Sequence, residues 1–267
     1  MPQEEHKSLD LLGVRPLASA IDKTAETSLA GASAFLSRIC LPAAEEFGLL
    51  LTDRVSHWIA SNAAKIAAKA ESLTSGMKGR LEAHPRLAWE IVDKGSWTDD
   101  DLSQRMWAGL LASSCASGDD SNILFTSLLE RLTSVQVRIL THACEAAPKF
   151  VSKAGLPYTE EISIPLEDLT KLTGVSDLHR LDRELDYLRS MELIGGGSSG
   201  GGFSPDSTTA TIQPSPLALH LFIRAQGFTR SPVEYWNLQL KPEKAPSQTL
   251  ANLQEPTSGL RPAAAQL

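Results

Sequence analysis

Carboxylates are the side chains of this chain best placed for chemistry: Asp99-Asp100-Asp101 stand in a row, and Asp119-Asp120 follow one helix length later. If brought together, such groups can hold a divalent cation, or share a proton as an acid and base pair. Helix capping accounts for the same residues more simply. Thr98 with Asp101 three positions on has capping-box spacing, Asp99 and Asp100 put negative charge into a first turn, and no His stands nearby in sequence. We therefore expect no metal site, no cofactor and no catalytic residue. His142 and Cys144 are two positions apart, roughly 200° around a helix, which separates them too widely for a shared ligand or a Cys–His nucleophile. Residues Gly195-Gly196-Gly197-Ser198-Ser199-Gly200 satisfy G-x-G-x-x-G literally. Dinucleotide binding needs a strand before that pattern and a helix after it, whereas here a helix precedes and a loop follows. No P-loop, G-x-S-x-G, H-E-x-x-H or C-x-x-C occurs.

What the same residues offer instead is contact. Trp97 lies beside a loop and three acids, and aromatic side chains are enriched at binding hot spots. The expected interaction surface is Trp97, Asp99, Asp100, Asp101 and Trp107, although a tryptophan taken singly, like Trp58, Trp89 or Trp107, reads first as core.

Helices must position these residues. After the Gly76 and Gly79 breakers, Pro85 suits a first helical position and Gly95 a stop, enclosing Leu87, Ala88, Ile91 and Val92. Leu102, Met106, Trp107, Leu110 and Leu111 supply the buried face of the next helix. Gly118-Asp119-Asp120-Ser121 breaks the chain and caps a helix with Phe125, Leu128, Leu129 and Leu132 inward. Thr133 or Ser134 starts another, with Ile139, Leu140, Ala143 and Cys144 on its apolar side. Upstream, Pro42 separates two helices. The second carries Phe47, Leu51, Val55, Trp58, Ile59, Ile66, Ala70 and Leu73 as an apolar stripe, with Asp53, Arg54, Asn62, Lys65 and Lys69 opposite.

Beyond Pro148 the pattern changes. Glu161-Ile162-Ser163-Ile164 alternates like a strand, and short helices follow from Pro165 to Leu172 and from Ser176 to Ile194. Gly195 to Gly202 is a flexible loop, Thr208 to Ile212 returns as a strand, and Pro216 to Ile223 is an apolar helix. That order fits a winged helix with a small β-wing. The expected fold class is mainly α: Ala-rich long helices over 1–80 that could serve oligomerisation, a helical core segment over 81–132, a winged-helix-like module over 133–236, and a disordered C-terminal tail over 237–267.

Charge narrows the function classes. The chain of 267 residues carries a formal charge of -7, a poor match for nucleic acid or anionic lipid. Between Thr133 and Phe228 eight basic residues face eleven acidic ones, and Gly195 to Pro214 holds no Lys or Arg. A winged helix of that charge suits protein contact better than DNA. Three scattered cysteines, an acidic N-terminus without an apolar signal region, and a hydrophobic window over Leu29–Leu51 broken by Arg38, Glu45 and Glu46 point to a cytoplasmic protein without a transmembrane segment.

Pro42-Ala43-Ala44-Glu45-Glu46-Phe47-Gly48, His84-Pro85-Arg86, Trp97 to Ser113 and Leu132 to Leu140 together resemble the Abi-alpha family of bacterial abortive infection proteins, long catalogued as a domain of unknown function. Met106-Trp107-Ala108-Gly109-Leu110-Leu111-Ala112-Ser113, followed at its interval by Leu132-Thr133-Ser134, is the most specific part, and the likeness runs over about 30–228. The resemblance implies a role in phage defence, a helical fold ending in a winged-helix-like portion, and no assigned catalytic residues. The reading that results is a non-enzymatic protein that binds a phage or host protein, with a homo-oligomer as a further option and nucleic acid disfavoured. Two alternatives stand beside it: a winged-helix DNA-binding regulator, and a membrane-disrupting effector in peripheral contact with lipid through its Ala-rich helices.

Overall fold

Helix α1 (Ser56–Thr74) presents a face of small residues, Ala60, Ala63, Ala64, Ala67 and Ala70 with Ile66, all buried. Small side chains let a neighbouring helix approach closely, and the neighbour is α3 (Asp101–Ser117), against which α1 makes its most extensive contact. The computed structural model describes residues 56–77, 81–195, 201–203 and 207–240. The expected helix before Pro42, the Phe47, Leu51 and Val55 positions, the 196–200 wing tip and the tail from Lys241 lie outside the described residues.

The stripe drawn for α1 needs correction. Trp58 and Leu73 are 41% and 44% exposed, while Asn62, assigned to the polar side, is buried. Weighting large apolar side chains rotated the inferred face away from the alanines that do the packing.

Helix α2 (Pro85–Gly95) begins at Pro85, whose missing N–H suits a first turn, and buries Leu87, Ala88, Ile91 and Val92. It leads into α3, the central helix, which touches α1, α2, α5 (Ser134–Ala146) and α8 (Pro216–Ala225). Met106, Trp107, Leu110 and Leu111 are all buried on α3. Gly118 ends α3 in the left-handed region, and α4 (Ile123–Glu130) follows, burying Phe125 and Leu129. Thr133 caps α5 through a full capping box with Gln136, the expected start signal.

From Lys149 the chain adds small antiparallel sheets to a mainly helical molecule. β1 (Lys149–Val151) and β2 (Pro157–Thr159) form a hairpin that the sequence reading did not identify. β3 (Ile162–Pro165), β4 (Gly202–Phe203) and β5 (Thr209–Ile212) form a sheet in the order β3-β5-β4, with Ile162 opposite Ile212. Between β3 and β4 run α6 (Leu166–Thr173) and α7 (Leu178–Ser190), the latter with Leu181, Leu185 and Leu188 buried. A short α9 (Pro232–Tyr235) follows α8, stacking Trp236 on Phe222 at 5.7 Å between ring centres. Residues 237–240, assigned to the tail, instead pair with the hairpin: Val151 N donates to Gln239 O at 3.0 Å. The tail expectation failed there because backbone pairing is invisible in polar composition.

Among the described residues no helix is long and apolar enough to cross a membrane.

Candidate functional site

The loop between α2 and α3 is built on a close approach. A Cβ on Gly95 would lie 2.9 Å from Trp107 Cγ and 3.0 Å from Ile66 Cδ1, so the last turn of α2 rests directly on the indole. Trp107 is thereby sealed at 3% exposure and presents no surface. Two residues past Gly95 the chain turns outward. Trp97 is 60% exposed and meets Trp58 of α1 edge to face, ring centres 6.4 Å apart at 61°. Backbone bonds from Trp97 N to Lys94 O and from Thr98 N to Gly95 O fix the turn that carries it.

The acids then divide by role. Asp100, not Thr98, is the N-cap of α3: its Oδ2 accepts from Ser103 N at 2.9 Å and from Ser103 Oγ at 2.8 Å. Its other oxygen accepts from Arg138 Nη2 at 2.7 Å, and Arg138 Nη1 donates to Thr173 O, so one carboxylate joins α3, α5 and α6. Asp101 occupies the first turn and takes ion pairs from Lys69 at 2.9 Å and Arg105 at 3.1 Å. The hydrogen bond and charge of Lys69 hold its carboxyl below the usual carboxylate range. Asp99 is exposed, with no bonded partner among the described residues.

Behind the loop a buried amide pair ties α1 to α3. Asn62 Nδ2 donates to Ser96 O, Gln104 Nε2 donates to Asn62 Oδ1 and Thr98 O, and Lys69 Nζ reaches Gln104 Oε1 at 2.9 Å. These bonds hold the loop from beneath, which makes the paired tryptophans a rigid platform. On the flank, Lys94 bridges Glu90 at 2.8 Å and Glu130 at 3.0 Å. Burial lifts the Asp93 carboxyl above its usual range; Glu130 and Glu90 add to the rise and Lys94 opposes it.

The sequence-predicted residues are thus spread over three environments: Trp97 and Asp99 face outward, Asp100 and Asp101 are engaged by cations, and Trp107 is core. Asp119, one helix away, is held below its usual range by hydrogen bonds from Ser121. Among the described residues no three His, Cys, Asp or Glu side chains gather as metal ligands. An open cleft of about 410 Å³ lies beside the cap, with Arg105, Arg138, His142 and Glu145 in its lining. Sequence reasoning missed Trp58 as a surface residue and Arg138 as the partner of Asp100. No local signal links positions 38 apart, whereas the Trp58 position was legible had the alanine face been taken as the buried one.

Comparison with known proteins gives one match: a family model described as Abortive infection alpha matches residues 61–200, which takes in the loop, its cap and the amide pair. No curated protein and no solved structure matches the chain.

Proposed function

Because the chain belongs to the abortive infection alpha family, we propose that it takes part in phage defence, and that it does so without catalysis, by binding a phage or host protein in the cytoplasm. One observation carries this reading: two exposed tryptophans, Trp58 and Trp97, packed edge to face on a loop braced by buried amides and ion pairs. Rigid, partly exposed aromatics gain contact area on binding at little cost in side-chain order. Asp99 beside them supplies a charge with no internal partner to leave.

We read the part from α5 onward as a winged-helix-like module used for structure or protein contact. Its support is the order α5, β3, α6, α7, β4, β5, with antiparallel pairing of β4 to β5. Glu184, on the helix that would read DNA, turns inward to accept from Gln136 Nε2 at 2.8 Å, and Arg189 is bonded to Gly201 O and paired with Asp186. Those commitments leave little free cationic surface for phosphates.

A photo-crosslinking residue in place of Trp97, in cells before and after infection, tests the contact. The expected result is a discrete adduct with one protein, lost when Asp99 and Trp58 are changed to Ala. Adducts no stronger than from the exposed control position Leu178 would overturn it.

A further inference from the structure

The cleft between the start of α4 and the outer face of α8 belongs to a different part of the molecule. Its volume is about 300 Å³. Leu124, Phe125 and Leu217 give it apolar walls, and Asn122, His220 and Arg224 its polar groups. Leu217, His220 and Arg224 recur at three and four positions and so share one helix face.

Asn122 is the unusual member. It is 1% exposed, its Nδ2 donates to Ser113 Oγ and Ser114 Oγ at 3.0 Å each, and its Oδ1 has no partner, the one such buried side-chain atom among the described residues. Turning the amide over does not help. Both serine hydroxyls already donate to Leu110 O, at 3.0 and 2.6 Å, so a reversed amide would strand its N–H groups instead. A buried acceptor left bare is costly, and native proteins rarely keep one without a use. Across the cleft, Arg224 makes one long bond, Nη1 to Phe228 O at 3.4 Å. Burial and the Arg224 charge depress the His220 pKa, which keeps the imidazole neutral at neutral pH.

We propose that this cleft binds a small planar molecule whose carbonyl and N–H stand side by side, as in a primary carboxamide or a lactam. The N–H is donated to Asn122 Oδ1, the carbonyl accepts from Arg224, and the apolar body lies against Leu124, Phe125 and Leu217. A carboxylate fits less well, because its oxygen would face the Asn122 acceptor and the Asp119 charge already acts on Arg224.

The test is an amide-resolved NMR titration of the full chain with benzamide, N,N-dimethylbenzamide and benzoate. Saturable shifts on α4 and α8 are expected for benzamide, with a dissociation constant of about 1 mM as befits so small a ligand. The dimethyl analogue, lacking the donor, and benzoate should each bind at least roughly tenfold more weakly. Leu124→Glu, at an exposed position, and Arg224→Gln should weaken benzamide similarly while the spectrum elsewhere stays folded. Equal binding of the three probes, unchanged affinity in both variants, or no shift at α4 and α8 would overturn the proposal, leaving an internal water as the partner of Oδ1.

Discussion

Asp100 does two things with one carboxylate, capping α3 through Ser103 and pairing with Arg138 of α5. Its neighbour Asp99 does neither. Asp100→Ala is therefore expected to lower the unfolding free energy by about 1–2 kcal/mol through the lost cap, with a smaller part from the half-buried ion pair, while Asp99→Ala stays within about 0.5 kcal/mol. Urea unfolding of the two variants checks this, and equal losses would return the cap to a position other than Asp100. His220 gives a pH signature at the same scale. Its folded pKa lies below the ordinary 6.5, so the unfolded chain takes up the proton first as pH falls. The associated stability is whole above pH 6.5 and declines below it toward the folded pKa. Urea midpoints at successive pH values below neutrality should fall less steeply in His220→Gln than in the parent chain.

Among the elements, α3 sets how closely the rest can approach. A Cβ on Gly109 would sit 1.8 Å from Ala225 O and 2.3 Å from its carbonyl carbon, so α8 ends directly on the α3 backbone. No side-chain rotation relieves a clash with a carbonyl. Gly109→Ala should cost about 3 kcal/mol, as overpacking against backbone does, whereas Gly76→Ala, with open space around it, should change stability by less than about 0.5 kcal/mol. Comparable unfolding midpoints for the two variants would contradict the crossing described. Helix starts with local signals were legible from the sequence: Pro85 opening α2, Gly118 closing α3, Thr133 with Gln136 opening α5. The rotation of α1 was not, because an alanine face is a weak apolar signal although it buries best against a close neighbour. The β1–β2 hairpin escaped because three-residue strands are too short to alternate visibly.

At the scale of the whole molecule, the site is a product of several elements meeting at one loop. The sequence pointed to Trp97 through its flanking acids and loop position. It gave no sign that Trp58 would stand against it from α1, or that Asn62, Lys69 and Gln104 would brace the turn, since those contacts span 32 to 42 positions. Trp107, with the same side-chain type ten positions on, is core because Gly95 leaves room for α2 to lie on it. A tryptophan's role is decided by what packs over it, and only the tertiary arrangement supplies that.

The claim on which the functional account rests is that the Trp97 platform is a contact surface and not a structural ornament. Phage plating efficiency on bacteria producing the parent chain, Trp97→Ala, or Asp168→Ala as an exposed control compares them directly, with unfolding midpoints measured in parallel. A Trp97→Ala protein that keeps its fold, within about 1 kcal/mol as expected for a largely exposed side chain, but loses protection by at least roughly tenfold is the predicted result. Full protection by a folded Trp97→Ala chain would contradict the account.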